Sequence, residues 1–161
     1  MVDHNIVYEI FHENNYFLEK ECPWEILYEF LKEFEKRTCT DNETITVDYF
    51  IRITGMNRES YRMIYDPKRR TSRKFAPKLS NGQPRYSMSR KYILSFCSGF
   101  TINTLCTNVI LSKSLELPLT LSNEFDKIYI FVLEKYRGRS LRSKNEYIVS
   151  KGGEPLGRLR R

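Results

Sequence analysis

"TVDYFIRITGMNRESYRMIYD", residues 46–66, sets one glycine between two short stretches whose apolar residues fall three or four apart. That spacing turns Val47, Phe50 and Ile51 inward from a first helix, and Met56, Tyr61 and Ile64 inward from a turn and a second helix. Gly55 supplies the residue that tolerates a left-handed backbone, which the sharp corner of a helix-turn-helix requires. Arg58, Glu59, Arg62 and Met63 are left facing outward. Asn57 is placed to cap the second helix and turn its amide-rich N-terminus toward a phosphate. Two positions depart from the usual motif, Ile51 where a small residue is common and Thr54 where an apolar one is. Two packing helices joined by a glycine share this pattern, so the flanking sequence decides the reading.

Directly after the second helix stands PKRRTSRK, residues 67–74, with Lys68, Arg69, Arg70, Arg73 and Lys74. Asn81-Gly82 is then a strong hairpin signal, because both residues accept the positive φ angles of a tight turn. Strands are predicted over 73–79 and 84–88, carrying Lys78 and Arg85, with Pro77 and Pro84 confining them to edges. A helix-turn-helix followed by a β-hairpin is the order of a winged helix: the second helix enters the major groove and the hairpin holds flanking phosphates or dips into the minor groove. The expected fold class is therefore α+β, mostly α, a winged-helix-like helix-turn-helix with a β-hairpin and flanking helices.

Charge is segregated along the 161 residues. Residues 1–50 hold 4 basic and 12 acidic side chains, 51–115 hold 13 and 2, 116–134 hold 1 and 4, and 135–161 hold 9 and 2, for a net charge of +7. A block as basic as 51–115 attracts a polyanion, most often nucleic acid, although a solvated basic face has the same composition. The acidic first third cannot share that contact. Eleven Tyr, ten Phe and one Trp argue for a packed core over disorder.

PWEILYEFLKEFEKR, residues 23–37, reads as a helix opened by Pro23, with Trp24, Leu27, Leu31 and Phe34 in a stripe joined by Tyr28 and Phe30. Glu25, Glu29, Glu33 and Glu35 make its other face acidic, suiting either an ordinary solvated face or a partner-docking one. Residues 3–20 suggest one helix, or two broken near Asn14 and Asn15. Ser87 or Ser89 can cap a helix that Gly99 ends, with Tyr92, Ile93, Phe96 and Cys97 inward, and 101–117 makes another. Beyond Pro118, residues 121–136 place Phe125, Ile128, Tyr129, Phe131, Val132, Leu133 and Tyr136 on more than one face, which fits a core helix or a homodimer contact. The last stretch loses periodicity and gains Gly and Arg, reading as a flexible basic tail whose Arg158, Arg160 and Arg161 suit a minor-groove arm. No internal repeat stands out. The expected division is an acidic helical segment over 1–43, a winged core over 44–136 and the tail over 137–161.

No catalytic constellation is evident. His4 and His12 are not at one-turn spacing, and no phosphate loop, G-x-S-x-G, G-x-G-x-x-G or H-E-x-x-H occurs. Cys22, Cys39, Cys97 and Cys106 have no zinc-type spacing and read as free buried thiols. Only Glu59 and Asp66 lie inside the basic block, too few carboxylates for a metal-dependent nuclease. No cofactor or metal is expected. The start lacks a secretory pattern and the longest apolar run, 128–133, is too short to span a bilayer, so an intracellular protein off the membrane is expected, nuclear or cytoplasmic.

The order ITVDYFIRITGMNRESYRMI, then a basic hairpin with NGQ, then RYSMSRKYILSFCSGFTIN resembles the MSV199 and Bro-type domains of large DNA viruses and the related phage antirepressors. In those, a "DV-x-x-W-x-G-[FY]-x-[RK]" segment precedes a Gly-rich hairpin and a "Y-x-L-T-x-x-x-F-K-x-L-C" helix. Asp48, Tyr49, Ile53 and Gly55 correspond to the first segment, and Tyr86, Met88, Ile93 and Phe96-Cys97 to the last. Ser89 replaces the usual Thr and the Phe-Lys pair is absent. The resemblance covers about half of the chain and implies a DNA-binding regulatory module of viral or mobile-element origin.

The expected function is double-stranded DNA binding, sequence-specific or architectural. Arg58 and Arg62 approach base edges, Asn57 sits near the backbone, and Lys68, Arg69, Arg70, Arg73, Lys74, Lys78 and Arg85 neutralise phosphates. A structural or adaptor protein docking a partner on helix 23–37, and an RNA-binding protein stacking bases on aromatics, are the rival readings. PKRRTSRK also resembles a nuclear import signal.

Overall fold

The apolar stripe of residues 23–37 forms a helix that carries six large apolar side chains into the core. The computed structural model describes residues 3–13, 19–20, 22–38, 45–66 and 88–157. In chain order these form α1 (His4–Glu13), α2 (Pro23–Thr38), α3 (Val47–Thr54), α4 (Arg58–Tyr65), α5 (Arg90–Gly99), α6 (Thr104–Lys113), α7 (Glu124–Lys135) and α8 (Leu141–Ser150). Trp24, Ile26, Leu27, Phe30, Leu31 and Phe34 of α2 are all buried. Phe30 meets Phe11, Phe34, Phe96 and Phe100 at ring-centroid distances of 5.4, 6.0, 5.9 and 5.6 Å. Phe50 reaches the same cluster from α3, 6.3 Å from Phe96. The chain's many aromatic side chains thus serve as the interior, Phe30 stacking on Phe11 and Phe34 and meeting Phe96 and Phe100 edge to face.

The α+β expectation is corrected: the described residues form helices alone, with no strand and no sheet among them. The core explains why none is needed, since α5 is buried from Tyr92 to Gly99 and takes α3, α6 and α7 around it, closing the interior with helix faces. Asn81-Gly82 was a local turn signal with no information on what its flanks would pair with. The predicted strands at 73–79 and 84–87 lie outside the described residues; Met88, expected at a strand end, is a buried residue just before the Ser89 cap of α5.

Residues 103–119 and 140–156 repeat one local design 37 positions apart, a relation the sequence conceals. Asn103 and Ser140 cap α6 and α8 by accepting from the amides of Cys106 and Ser143. Leu115 (φ 59°) and Gly152 (φ 88°) take the left-handed region after each helix. Glu116 then donates its N–H to Leu111 O and Gly153 to Ile148 O, each at 2.9 Å, closing the helix ends in the Schellman manner. Asn108 and Asn145 each clamp the returning Pro-Leu pair, their Oδ1 atoms accepting from Leu119 N–H at 2.8 Å and Leu156 N–H at 2.7 Å. Thr101 (φ 57°) and Gly138 (φ 75°) turn the chain into α6 and α8 at matching positions. The pairs α5–α6 and α7–α8 are thus built on one plan, with the Asn and the Pro-Leu pair among the few residues that coincide.

Where the end of the chain reads as a flexible tail, residues 141–150 therefore form α8 and the chain returns across α3 and α5. Ile148 and Leu156 are buried, Gly157 N–H donates to Ser95 Oγ at 2.9 Å, and Tyr129 Oη–H donates to Glu154 O at 2.8 Å. Arg158, Arg160 and Arg161 lie outside the described residues.

Candidate nucleic-acid interface

The corner at Gly55 forms as the sequence requires. Thr46 caps α3 by accepting from Tyr49 N–H, and Gly55, at φ 71°, ends it with its own N–H donating to Ile51 O at 2.7 Å. Thr54 is buried despite its hydroxyl: Oγ1 donates to Phe50 O at 2.7 Å and accepts from Met56 N–H at 3.1 Å, so both its donor and its acceptor are used within the turn. Asn57 caps α4, its Oδ1 accepting from Ser60 N–H and Ser60 Oγ–H, each at 2.9 Å. Gly157 presses against the corner: a Cβ on Gly55 would stand 2.9 Å from Gly157 Cα and 2.6 Å from Leu141 Cδ2.

Three tyrosine hydroxyls fix α4 from behind. Tyr61 donates to Ile45 O, Tyr65 to Glu35 Oε1 and Tyr92 of α5 to Ser60 O, all at 2.7 Å. Burial raises the Tyr65 hydroxyl far above its ordinary range, and the Glu35 carboxylate that accepts its proton raises it further. Burial alone lifts Tyr92 strongly, against the opposing hydrogen bond to Ser60. These phenols stay protonated as donors at neutral pH, so the three bonds that hold α4 persist there.

The outer face of α4 then presents Arg58 and Arg62, one turn apart, with Asn57 before them, all three exposed. Neither arginine pairs with a carboxylate among the described residues. Met63, expected outward, is buried, while Glu59 is half-buried. The structure thus brings Asn57, Arg58 and Arg62 onto one face, and the remaining expected contacts, Lys68, Arg69, Arg70, Arg73, Lys74, Lys78 and Arg85, lie outside the described residues. Arg90, part of the same basic block, is spent on the fold: it donates to Asp126 Oδ1 at 2.8 Å and to Leu117 O.

Two of the four glutamates on the acidic face of α2 are spent within the chain as well. Glu33 pairs with Arg37 at 3.4 Å and Lys36 at 3.6 Å. Arg37 also reaches Glu13 at 2.8 Å and Glu9 at 3.6 Å, and those bonds tie α1 to α2. Glu35 is buried, accepting from Ile45 N–H at 3.2 Å as well as from Tyr65.

Chemistry elsewhere is muted. Burial pushes the Cys97 thiol up to about 12 and the Cys106 thiol to about 11, so neither is a nucleophilic thiolate at neutral pH. Among the described residues no three His, Cys, Asp or Glu side chains gather as a metal site, and no helix is long and apolar enough to cross a membrane. One feature escaped the sequence reading, a cationic cavity between α3, the α5–α6 turn and the start of α8, to which Lys144 contributes from what reads as a tail.

These features define a class: a helical protein whose helix–turn–helix corner carries a fixed, cationic, outward helix. Comparison with family models, curated proteins and solved structures finds no match to any of them.

Proposed function

We propose that the protein is a non-catalytic double-stranded DNA-binding protein that lays α4 against the duplex, Arg58 and Arg62 approaching base edges and Asn57 near the backbone. The observation that carries this reading is the pair of exposed arginines, without a carboxylate partner among the described residues, on a helix whose opposite side is locked by Tyr61, Tyr65 and Tyr92. A rigid support matters because a bidentate guanidinium contact to guanine needs fixed geometry, and each good contact contributes roughly 1–3 kcal/mol of discrimination. The basic run Lys68, Arg69, Arg70, Arg73, Lys74, with Lys78 and Arg85, follows α4 directly in the chain and supplies the phosphate-neutralising charge. The resemblance of residues 45–64 and 85–103 to MSV199 and Bro-type domains supports the same role, a regulator of viral or mobile-element origin.

A homodimer through 121–136 belongs to this proposal. Ile128, Val132 and Leu133 turn inward from α7, while Phe125 and Phe131 are 62% and 38% exposed, near in sequence to the exposed Leu115, Leu117 and Leu121. Two copies of α4 on one duplex would double the contact and read a two-fold site. Docking of a partner on acidic α2 is less favoured, because Glu33 and Glu35 are already satisfied within the chain.

The test is affinity for duplex DNA between 50 and 200 mM salt, with single-stranded RNA as competitor. About seven phosphate contacts predict a slope near −6 in log affinity against log salt. A flat salt dependence, or RNA displacing duplex at equal concentration, contradicts the proposal.

A further inference from the structure

Lys144 is 4% exposed, and its Nζ donates to Ser98 O at 2.8 Å, which uses one of its three hydrogens. It lines a cavity of about 360 Å³ together with Arg52 at the end of α3, Arg139 and Ser140 in the α7–α8 turn, and Thr101 in the α5–α6 turn. Arg52 rests over the Tyr49 ring at 5.3 Å and Arg139 over Tyr136 at 4.5 Å, contacts that orient the guanidinium groups without neutralising them. Among the described residues none of the three cations pairs with a carboxylate. Thr101 is 7% exposed and its Oγ1 has no hydrogen-bond partner. The first turn of α8, behind its Ser140 cap, adds the positive end of a helix dipole.

A buried ammonium without a carboxylate partner among the described residues is costly, and the two exposed guanidinium groups beside it add positive charge to the same hollow, an arrangement that suits an anion. The matching place in the other helical pair is already filled. At the start of α6, Glu134 Oε1 accepts from Thr104 N–H at 2.9 Å and from Thr104 Oγ1–H at 2.6 Å, while Arg137 holds Glu134 Oε2 at 2.6 Å. At α8 the residue matching Thr104 is Leu141, and basic side chains surround it in place of a carboxylate.

We propose that this cavity binds a phosphate-type oxyanion carried by a small phosphorylated molecule, with Arg52, Arg139 and Lys144 as its cationic contacts. Its volume is that of a small-ligand site, with room for an organic group beyond the phosphate. The inference stands apart from the DNA reading, because it uses none of the α4 residues.

The test is titration of the full chain with inorganic phosphate against chloride at matched ionic strength, read by calorimetry and by the melting temperature. Saturable binding and a raised melting point are expected for the native chain. In Arg52→Gln/Arg139→Gln, which alters exposed positions and leaves the core alone, phosphate affinity falls by roughly tenfold or more while the circular dichroism spectrum is unchanged. Lys144→Met is a second variant with the same expected loss. Absence of saturable binding, or equal binding in the arginine variant, overturns the proposal. A short duplex separates the sources of the phosphate: unchanged duplex affinity in the arginine variant assigns the site to a small molecule, and a parallel fall assigns it to a backbone phosphate of the same chemistry.

Discussion

Burial holds the Lys144 ammonium down, to about 8, because the hollow around it offers no carboxylate to replace the water it has lost. The unfolded chain binds that proton more tightly than the folded one, so the charge opposes folding below pH 8, and its opposition fades as pH climbs toward the unfolded value near 10.4. Measured without phosphate by urea unfolding, native stability should therefore improve relative to Lys144→Met by roughly 2 kcal/mol between pH 7.5 and 9.5. A difference that stays constant over that range would mean the ammonium is not desolvated. Gly55 makes a sharper prediction. Its φ of 71° disfavours any Cβ, and that Cβ would also meet the Gly157 backbone at 2.9 Å, so Gly55→Ala should cost about 3 kcal/mol. The need for Gly55 was readable in the sequence as a turn, whereas its contact with Gly157, 102 positions later, was not. Nor was the burial of Met63, since the element it packs into is fixed only once α2 and α5 close behind α4.

At the scale of the element, α2 and α5 were readable because their starts and their apolar spacing point the same way: Pro23 opens α2 and Ser89 caps α5. Helix α8 was hidden by its own inward face, where Leu141, Lys144 and Ile148 fall at helical spacing and the middle residue is a lysine. The glycines after it suggested freedom, yet Gly157 is the close approach that lets the chain cross the corner at Gly55. A chain ending at Ser150 should accordingly lose the burial of Leu156 and the two hydrogen bonds Asn145 makes to it, about 3 kcal/mol together, and melt several degrees lower. An unchanged melting temperature would restore the picture of a tail. The α+β expectation rested on 73–79 and 84–88, where a local turn signal was extended into a sheet; 73–79 and 84–87 lie outside the described residues, and the described ones contain no strand.

For the whole molecule, the interior runs as one cluster from Val7 to Leu156, so the acidic helix, the helix–turn–helix corner and the end of the chain share a core. Charge segregation in sequence becomes division of labour in space: Glu9 and Glu13 of α1 and Glu33 of α2 pair with Arg37, and exposed cations gather on α4 and around the hollow beside α8. The outer face of α7 is the third feature at this scale. If it joins two copies, Phe125→Asp should convert a dimer into a folded monomer in sedimentation analysis, since a carboxylate replaces an exposed ring at the contact and the core residues Ile128 and Val132 are untouched. Equal sedimentation of the two proteins would remove the dimer from the account.

The most direct test of the DNA-binding face is the affinity of Arg58→Ala/Arg62→Ala for duplex DNA across a salt series, with circular dichroism to confirm the helices. Loss of two base-edge contacts should weaken binding by at least tenfold while the salt slope, set by the phosphate contacts, stays near −6. An intact variant that binds with native affinity would contradict the role given to α4.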